Sequence, residues 1–413
     1  MNPFVVSPDW GWWIIFYFFL GGISAGSYFI GTLIELLGQK EDRPLARVAY
    51  RLSFPLIVIC GILLIVDLER PERFWHMLIQ SERYLPLLKW WSPMSIGAQA
   101  IGLFGLFSFL SFVSTFWNLP LLRSLTGSGI LGHVFRLVGS GLGFFIASYT
   151  GILLSATNQP LWTVSDWIGP LFLTSAASTS IAMMLLLTRG ISAETRERLE
   201  KADLWALGLE LFIFLIFLAS LGNLFPAALS TLEGLILVLG TFIAGLVIPL
   251  VLHLGYGEPG RIRVTVAAIS ALAGGFTLRF GVVTVSPALL HVVGEQPPDE
   301  MLRRLSDISD SPLYSTWAGI ALISATVVLG CAIPALLRRQ WQLSVGPTVL
   351  ACCVSVLAIA CVLHYSFHPL ADRTEFALIH SPEDGRERGG GVGASAYNRP
   401  DPVRMRTKFN QSP

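Results

Sequence analysis

Apolar residues gather into ten blocks along the chain, each about as long as a bilayer is thick, with short polar stretches between them. A membrane-spanning helix needs about 20 mostly apolar residues. Residues 10–38, 48–66, 94–117, 133–155, 167–188, 204–221, 232–253, 264–286, 314–337 and 345–363 meet that length. No period-two alternation stands out over about ten residues, which argues against a membrane β-barrel. From residue 364 the chain turns polar and rich in Gly, Pro and Arg. That stretch has too little apolar surface to fold alone and reads as an extended tail draped over a partner. The pattern predicts an all-α polytopic membrane protein with about ten transmembrane helices.

Composition sharpens this picture. Hydrophobic residues are 53% of the 413 and charged residues 13%, against about 25% charged in a soluble domain. A disordered chain, a disulfide scaffold and a freely diffusing enzyme are excluded. The net charge of +1 marks no nucleic-acid binder. The opening MNPFVVSPDW lacks a basic leader, and the apolar run after it is too long for a signal peptide. It reads as a retained first span. Lys and Arg are concentrated in the loops after spans one, three, five, seven and nine. Those loops are expected in the cytoplasm and both termini outside.

Metal chemistry finds little support. Cys60, Cys331, Cys352, Cys353 and Cys361 all lie in apolar stretches without a CxxC spacing, so they read as small core residues. A membrane b-type haem usually takes two histidines on facing helices. Here His133, His253, His291 and His364 fall near span ends, and His76, His368 and His380 in loops or the tail. The chain is expected to hold no haem, iron–sulfur cluster or metal. A redox role would use a bound quinone and a neighbouring protein's cofactor.

Ionisable groups inside an apolar layer are costly and point to function. Arg279 is nearly central in span eight, flanked by Gly274, Gly275 and Gly281. It can partner a carboxylate, stand beside a charge-bearing cavity, or do both. Asp67 and Arg70 sit at the outer end of span two in DLERPERFW, where Pro71 would end the helix. Glu35, Asp203, Glu210 and Glu233 are candidates for a proton path, or equally interfacial anchors. Asp166 at the start of span five suits a helix N-terminus. Tyr17 and Tyr149 fall in the outer half at similar depth. A phenol can hydrogen-bond a carbonyl while its ring packs on an apolar tail, which suits a quinone, although ordinary packing is the commoner role of a lone tyrosine.

Small residues recur in FLGGISAG of span one and FLTSAAST of span five, as close helix contacts in lipid favour. Spans four and eight align without gaps, matching Thr150 to Thr277 and Pro160 to Pro287. A repeat of two parallel four-helix bundles, with two helices added, is the expectation.

The stretch SYTGILLSATNQPLW, followed by GPLFLTSAAST, resembles the NrfD/PsrC family, the integral membrane subunits of polysulfide-reductase-like complexes. WGWWIIFYFFLGGISAG, DLERPERFW and GGFTLRFG carry the same resemblance, which runs from Trp10 to Pro287. It implies an eight-helix core of two bundles, and the two extra spans are similar to those of alternative complex III. It further implies a bacterial inner (plasma) membrane protein with a quinol site near the outer surface, between helices of the first bundle. By the same resemblance Tyr149, Asp67 and Arg279 are the catalytic candidates, and Tyr17, Arg70 and Trp13 join Tyr149 and Asp67 around the quinone. Tyr17 stands where some members carry histidine, and Ile14 where some carry asparagine.

The expected organisation is residues 1–155 as a first bundle with the quinol site and 156–290 as a second bundle. Residues 291–363 would be two added helices, and 364–413 a partner-contacting tail. The bound cofactor implied is menaquinone or another quinone. The partners implied are an iron–sulfur ferredoxin-like subunit, a molybdopterin-type or related catalytic subunit, other membrane subunits including a paralogue, and lipid, with no nucleic acid. The rival readings are a quinone-free proton-conducting subunit and a membrane anchor of alternative complex III. A secondary transporter is disfavoured because broken mid-membrane helices are not evident.

Overall fold

A computed structural model describes residues 10–293, apart from 81–85, 87–88, 90–91, 118–119, 128, 158, 189–190, 223 and 255–259. The ninth and tenth spans, the tail, and Cys331, Cys352, Cys353 and Cys361 lie outside the described residues.

Eight helices there are long and apolar enough to cross a membrane. They are α1 Trp12–Leu37, α2 Arg43–Val66, α3 Pro93–Ser114, α4 Ile130–Ser155, α5 Ile168–Leu187, α6 Ala193–Ser220, α7 Leu232–Leu254 and α8 Arg261–Val293. Among the described residues there is no β-strand, only an isolated bridge between Ile79 and Pro86. The chain is an all-α, multi-pass membrane protein.

Local chemistry sets the helix ends. Ser92 caps α3 by accepting from the Ser95 N–H at 3.4 Å, with Pro93 in the first turn. Ser192 caps α6 through the Thr195 N–H at 3.2 Å, and Thr231 caps α7 through the Gly234 N–H at 3.1 Å. Helix α6 starts at Ala193 rather than near 204, because this cap and a Glu197–Lys201 pair at 2.6 Å carry the helix through polar turns that hydropathy does not register. Pro160 opens a separate short helix, Pro160–Val164, whereas Pro287 lies inside α8. The aligned prolines of spans four and eight are therefore not structural equivalents. Within α7, residues Ile236–Val247 are π-helical.

Helix α1 touches α2, α4, α5 and α8. Around it α2 packs on α3 and α3 on α4, while α5 packs on α6 and α8, and α7 on α8. The small residues of spans one and five meet one another. A Cβ on Gly26 would overlap the Ser180 hydroxyl and the Ala176 carbonyl, and Ser180 Oγ donates to Ile23 O at 3.0 Å. Gly274 of α8 sits against Gly245 of α7 in the same manner. At one end, called here the Trp10 end, Trp10 stacks on Trp162 with ring centres 5.3 Å apart. Trp162 Nε1 donates to Val282 O at 2.6 Å. At the opposite, Glu35 end, buried Asp42 accepts from Arg198 at 2.7 Å and Thr195 at 2.8 Å, tying the α1–α2 connection to α6. Outward faces carry Ile62, Leu106, Leu239 and Val251, as lipid contact requires.

Gly26→Val forces α1 and α5 apart, and overpacking of this kind costs about 1–3 kcal/mol. The variant is expected to melt below the wild type in detergent; an unchanged melting temperature would show that the α1–α5 contact is not tight.

Candidate functional site

Tyr17, on the second turn of α1, is 2% exposed. Its hydroxyl has no hydrogen-bond partner among the described residues. Its backbone carbonyl accepts weakly from Cys60 Sγ at 3.7 Å. Tyr149, near the end of α4, is 5% exposed and stacks on Phe145 at 5.4 Å. Its hydroxyl donates to Pro93 O, in the first turn of α3, at 2.8 Å. Gly97 makes room for that phenol, since a Cβ there would overlap its ring and oxygen. The two phenols are close enough to interact electrostatically. One hydroxyl is thus free to donate, and the other has spent its proton but can still accept.

Asp67 caps the end of α2, half-buried, and no described side chain meets its carboxylate. Burial raises the Asp67 carboxyl above its ordinary titration range. No contact joins it to Tyr17 or Tyr149 among the described residues. Arg70 is exposed where a short 3₁₀ helix, Pro71–Met77, begins, and Trp13 is exposed on α1, while Ile14 is buried. The sequence candidates therefore divide into a buried tyrosine pair and an outer group nearer water.

Arg279 is 1% exposed and clamps three helices. Its guanidinium donates to Phe18 O at 3.2 Å, Ser175 Oγ at 2.8 Å, Gly275 O at 2.8 Å and Phe172 O at 3.3 Å. It also lies 5.3 Å from the Phe172 ring centre. Gly22 of α1 leaves the space, since a Cβ there would come within 2.9 Å of the guanidinium. Buried Glu210 accepts from Ser178 and lies beside Ser175, so a serine stands between the cation and this carboxylate.

The four carboxylates proposed as one path fall in separate places. Glu35 accepts from Arg136 Nε at 2.6 Å, between α1 and α4. Asp203, on α6, pairs with His253 of α7 at 2.9 Å, and its other oxygen has no partner. Glu210 lies further along α6, and Glu233 is half-buried in the first turn of α7 at the opposite end from Asp203. Sequence reasoning missed His253, Ser175 and Ser178, and also Tyr28 and Tyr50. The spacing of Asp203 and Glu210, two turns apart on one face of α6, was the available signal. Among the described residues no group of three or more His, Cys, Asp or Glu side chains could hold a metal ion.

Comparison with known proteins identifies the family. The family model described as "Polysulphide reductase, NrfD" matches residues 5–290, well over half of the chain. The chain belongs to that family. It is similar to the C chain of polysulfide reductase from Wolinella succinogenes, 28% identical over 304 residues that cover 66% of this chain and 92% of that protein. It is similar to Protein NrfD of Escherichia coli, 27% identical over 305 residues with the same shares of 66% and 92%. It also resembles the C subunit of selenate reductase from Mesobacillus selenatarsenatis, 34% identical over 82 residues; that match spans 20% of this chain and 19% of the selenate reductase protein.

The raised Asp67 carboxyl makes stability depend on pH. Its proton is held more tightly in the folded state, so the folded charged form carries a penalty. That penalty is absent below the ordinary value of about 3.9, grows as pH rises towards the folded value, and is constant above it. Asp67→Asn is therefore expected to melt at or slightly above the wild type at pH 7, the gap closing towards pH 4. A lower melting temperature at pH 7 would mean that the carboxylate is held by a favourable contact.

Proposed function

We propose that this chain is the quinone-reactive membrane subunit of a multi-subunit redox complex, exchanging electrons between a membrane quinol, such as menaquinol, and an iron–sulfur partner. The observation that carries the reading is the Tyr17 hydroxyl, which meets no hydrogen-bond partner among the described residues although its side chain is buried, within electrostatic reach of Tyr149. A hydroxyl with its proton uncommitted can donate to a ligand oxygen. Quinone fit is further supported by the donor set: Tyr17 can donate to a carbonyl, and Tyr149, with its own proton on Pro93 O, can accept from a ring hydroxyl. When bound, a quinone supplies a two-electron, two-proton couple.

The chain's own residues bind and orient the headgroup and exclude water. Tyr17 and Tyr149 set its hydrogen bonds from α1 and α4, and Phe18, Phe145 and Phe172 keep the surroundings apolar. Asp67 stands nearer the Trp10 end as a carboxyl able to exchange a proton with water there, with Arg70 and Trp13 at the rim. Arg279 holds α1 against α5 and α8 and so fixes the depth of Tyr17. We place the iron–sulfur partner on the Trp10 end, followed by a molybdopterin-type or related catalytic subunit. Two of the relatives are named as lettered components of reductases, each one polypeptide of an assembly. The four helices α1–α4 form the quinone-bearing half and α5–α8 a second half. Placement in a bacterial inner membrane rests on the family resemblance, and the Lys and Arg bias of the loops supports the Trp10 end facing outward.

A second reading has its own support. The Arg279–Ser175–Glu210 cluster and the Asp203–His253 pair would suit a quinone-free proton-conducting subunit, or the anchor of an alternative-complex-III-type assembly. In that case quinone is absent from the purified complex and Glu210→Gln alone abolishes proton movement.

In the assembled complex, Tyr17→Phe is expected to raise the quinol KM about tenfold or more, the loss of one hydrogen bond worth about 1.4 kcal/mol. Tyr149→Phe combined with Asp67→Asn is expected to lower quinol-dependent turnover further. Unchanged kinetics in both, with quinone still extracted in stoichiometric amount, would place the headgroup elsewhere.

A further inference from the structure

The first four helices hold polar groups to which the quinone reading gives no task. Along α1 they are Ser24, Tyr28, Thr32 and Glu35, which continue from Tyr17 at steps of three, four or seven residues and so share one side of the helix. Each meets a polar group on a neighbour. Ser24 Oγ donates to Ser53 O of α2 at 2.7 Å. The Tyr28 hydroxyl bonds Ser111 Oγ of α3 at 2.9 Å. Thr32 Oγ1 lies 3.3 Å from the Tyr50 hydroxyl, which donates to Glu35 at 3.3 Å. Glu35 closes the series against Arg136, whose guanidinium also donates to Thr126 O at 2.6 Å and Gly127 O. Tyr28 and Tyr50 touch edge to face at 5.1 Å.

Every member but Glu35 is buried, Ser24 and Tyr28 fully so. The Glu35 side chain is 25% exposed, so the series reaches water at one end only. Polar groups within hydrocarbon are expensive unless each is given a hydrogen-bond partner. The α1–α5 seam of this same protein shows that small residues suffice to join helices. A run of hydroxyls ending on a carboxylate is a different solution, and Ser24 at its other end lies about two turns from Tyr17 on the same side of α1.

We infer that this column is a proton route joining the Tyr17–Tyr149 position to the Glu35 end. The inference rests on the quinone reading above. Two-electron reduction of a quinone forms two O–H bonds and consumes two protons, the electrons coming from the iron–sulfur partner; oxidation releases both. Hydroxyls pass a proton along the column, water bridging the steps between turns. Glu35 exchanges it with the solution, Arg136 holds the carboxylate in place, and Arg43 and His133 face the same group. Asp67 serves the Trp10 end, so the site has a proton contact on each side. A proton that travels by the column crosses the apolar layer, and that makes turnover move charge.

The test uses the whole complex in vesicles of uniform orientation, with a pH dye inside and another outside. Wild type is expected to exchange protons at the Glu35 face during quinol turnover. Glu35→Gln is expected to lower that exchange about tenfold or more, and to remove a carboxyl band from the redox-difference infrared spectrum. Tyr50→Phe keeps the ring packing, loses only the hydroxyl, and covers the case in which Glu35→Gln fails to assemble through loss of the Arg136 partner. Bound quinone, extracted and counted, is expected to stay at the wild-type amount in both. Full exchange at the Glu35 face in Tyr50→Phe, or exchange confined to the Trp10 face in wild type, overturns the route. Absence of quinone from wild type overturns the underlying function instead.

Discussion

Close approach between α1 and its neighbours is the constraint on which the rest depends. Gly26 against Ser180 and Ala176, and Gly22 beneath the Arg279 guanidinium, contribute no side chain of their own and so let α1 approach α5 and α8 closely. Lipid offers helices no hydrophobic reason to associate, so van der Waals contact and buried hydrogen bonds supply the energy. Arg279 adds four donated bonds spread over three helices. Because α1 is held on that side, its other side must face α2, α3 and α4. That is where Tyr17, Ser24, Tyr28, Thr32 and Glu35 stand. Packing on one face thus determines the chemistry of the other.

Helices α1–α4 and α5–α8 use charge differently. In α5–α8 the cation is satisfied by backbone carbonyls and a serine, and Glu210 is reached through serine hydroxyls rather than by direct pairing. Such an arrangement tolerates a buried charge without an exposed partner. In α1–α4 the ionised pair, Glu35 with Arg136, sits at the end nearer water, and neutral hydroxyls occupy the interior. A cluster that must stay put suits a clamp. A chain of rotatable hydroxyls suits transfer.

Much of this was legible in the sequence, and the gaps have physical causes. Apolar block length located all eight described helices, because bilayer thickness sets it. It mistook the start of α6, where Ser192 and the Glu197–Lys201 pair extend a polar helix. The small-residue runs of spans one and five predicted close packing, and these runs pack on each other. The Pro160–Pro287 match failed because proline can open one helix and sit inside another. Arg279, Tyr17 and Tyr149 stood out as polar groups in apolar surroundings. Grouping Glu35 with Asp203 and Glu210 did not anticipate their separate settings, since helix adjacency is not written in any one span. Tyr28 and Tyr50 were invisible for the opposite reason: neutral tyrosines in a membrane helix look like packing until their hydroxyls are seen to meet Ser111 and Glu35.

The most direct test of the account is where a quinone headgroup touches this chain. A photoreactive quinone incorporated into the intact complex, followed by peptide mapping, is predicted to label α1 around Tyr17 and α4 around Tyr149, with labelling competed by unmodified quinone. Labelling confined to the lipid-facing surfaces of α3 and α7, and insensitive to competition, would contradict it.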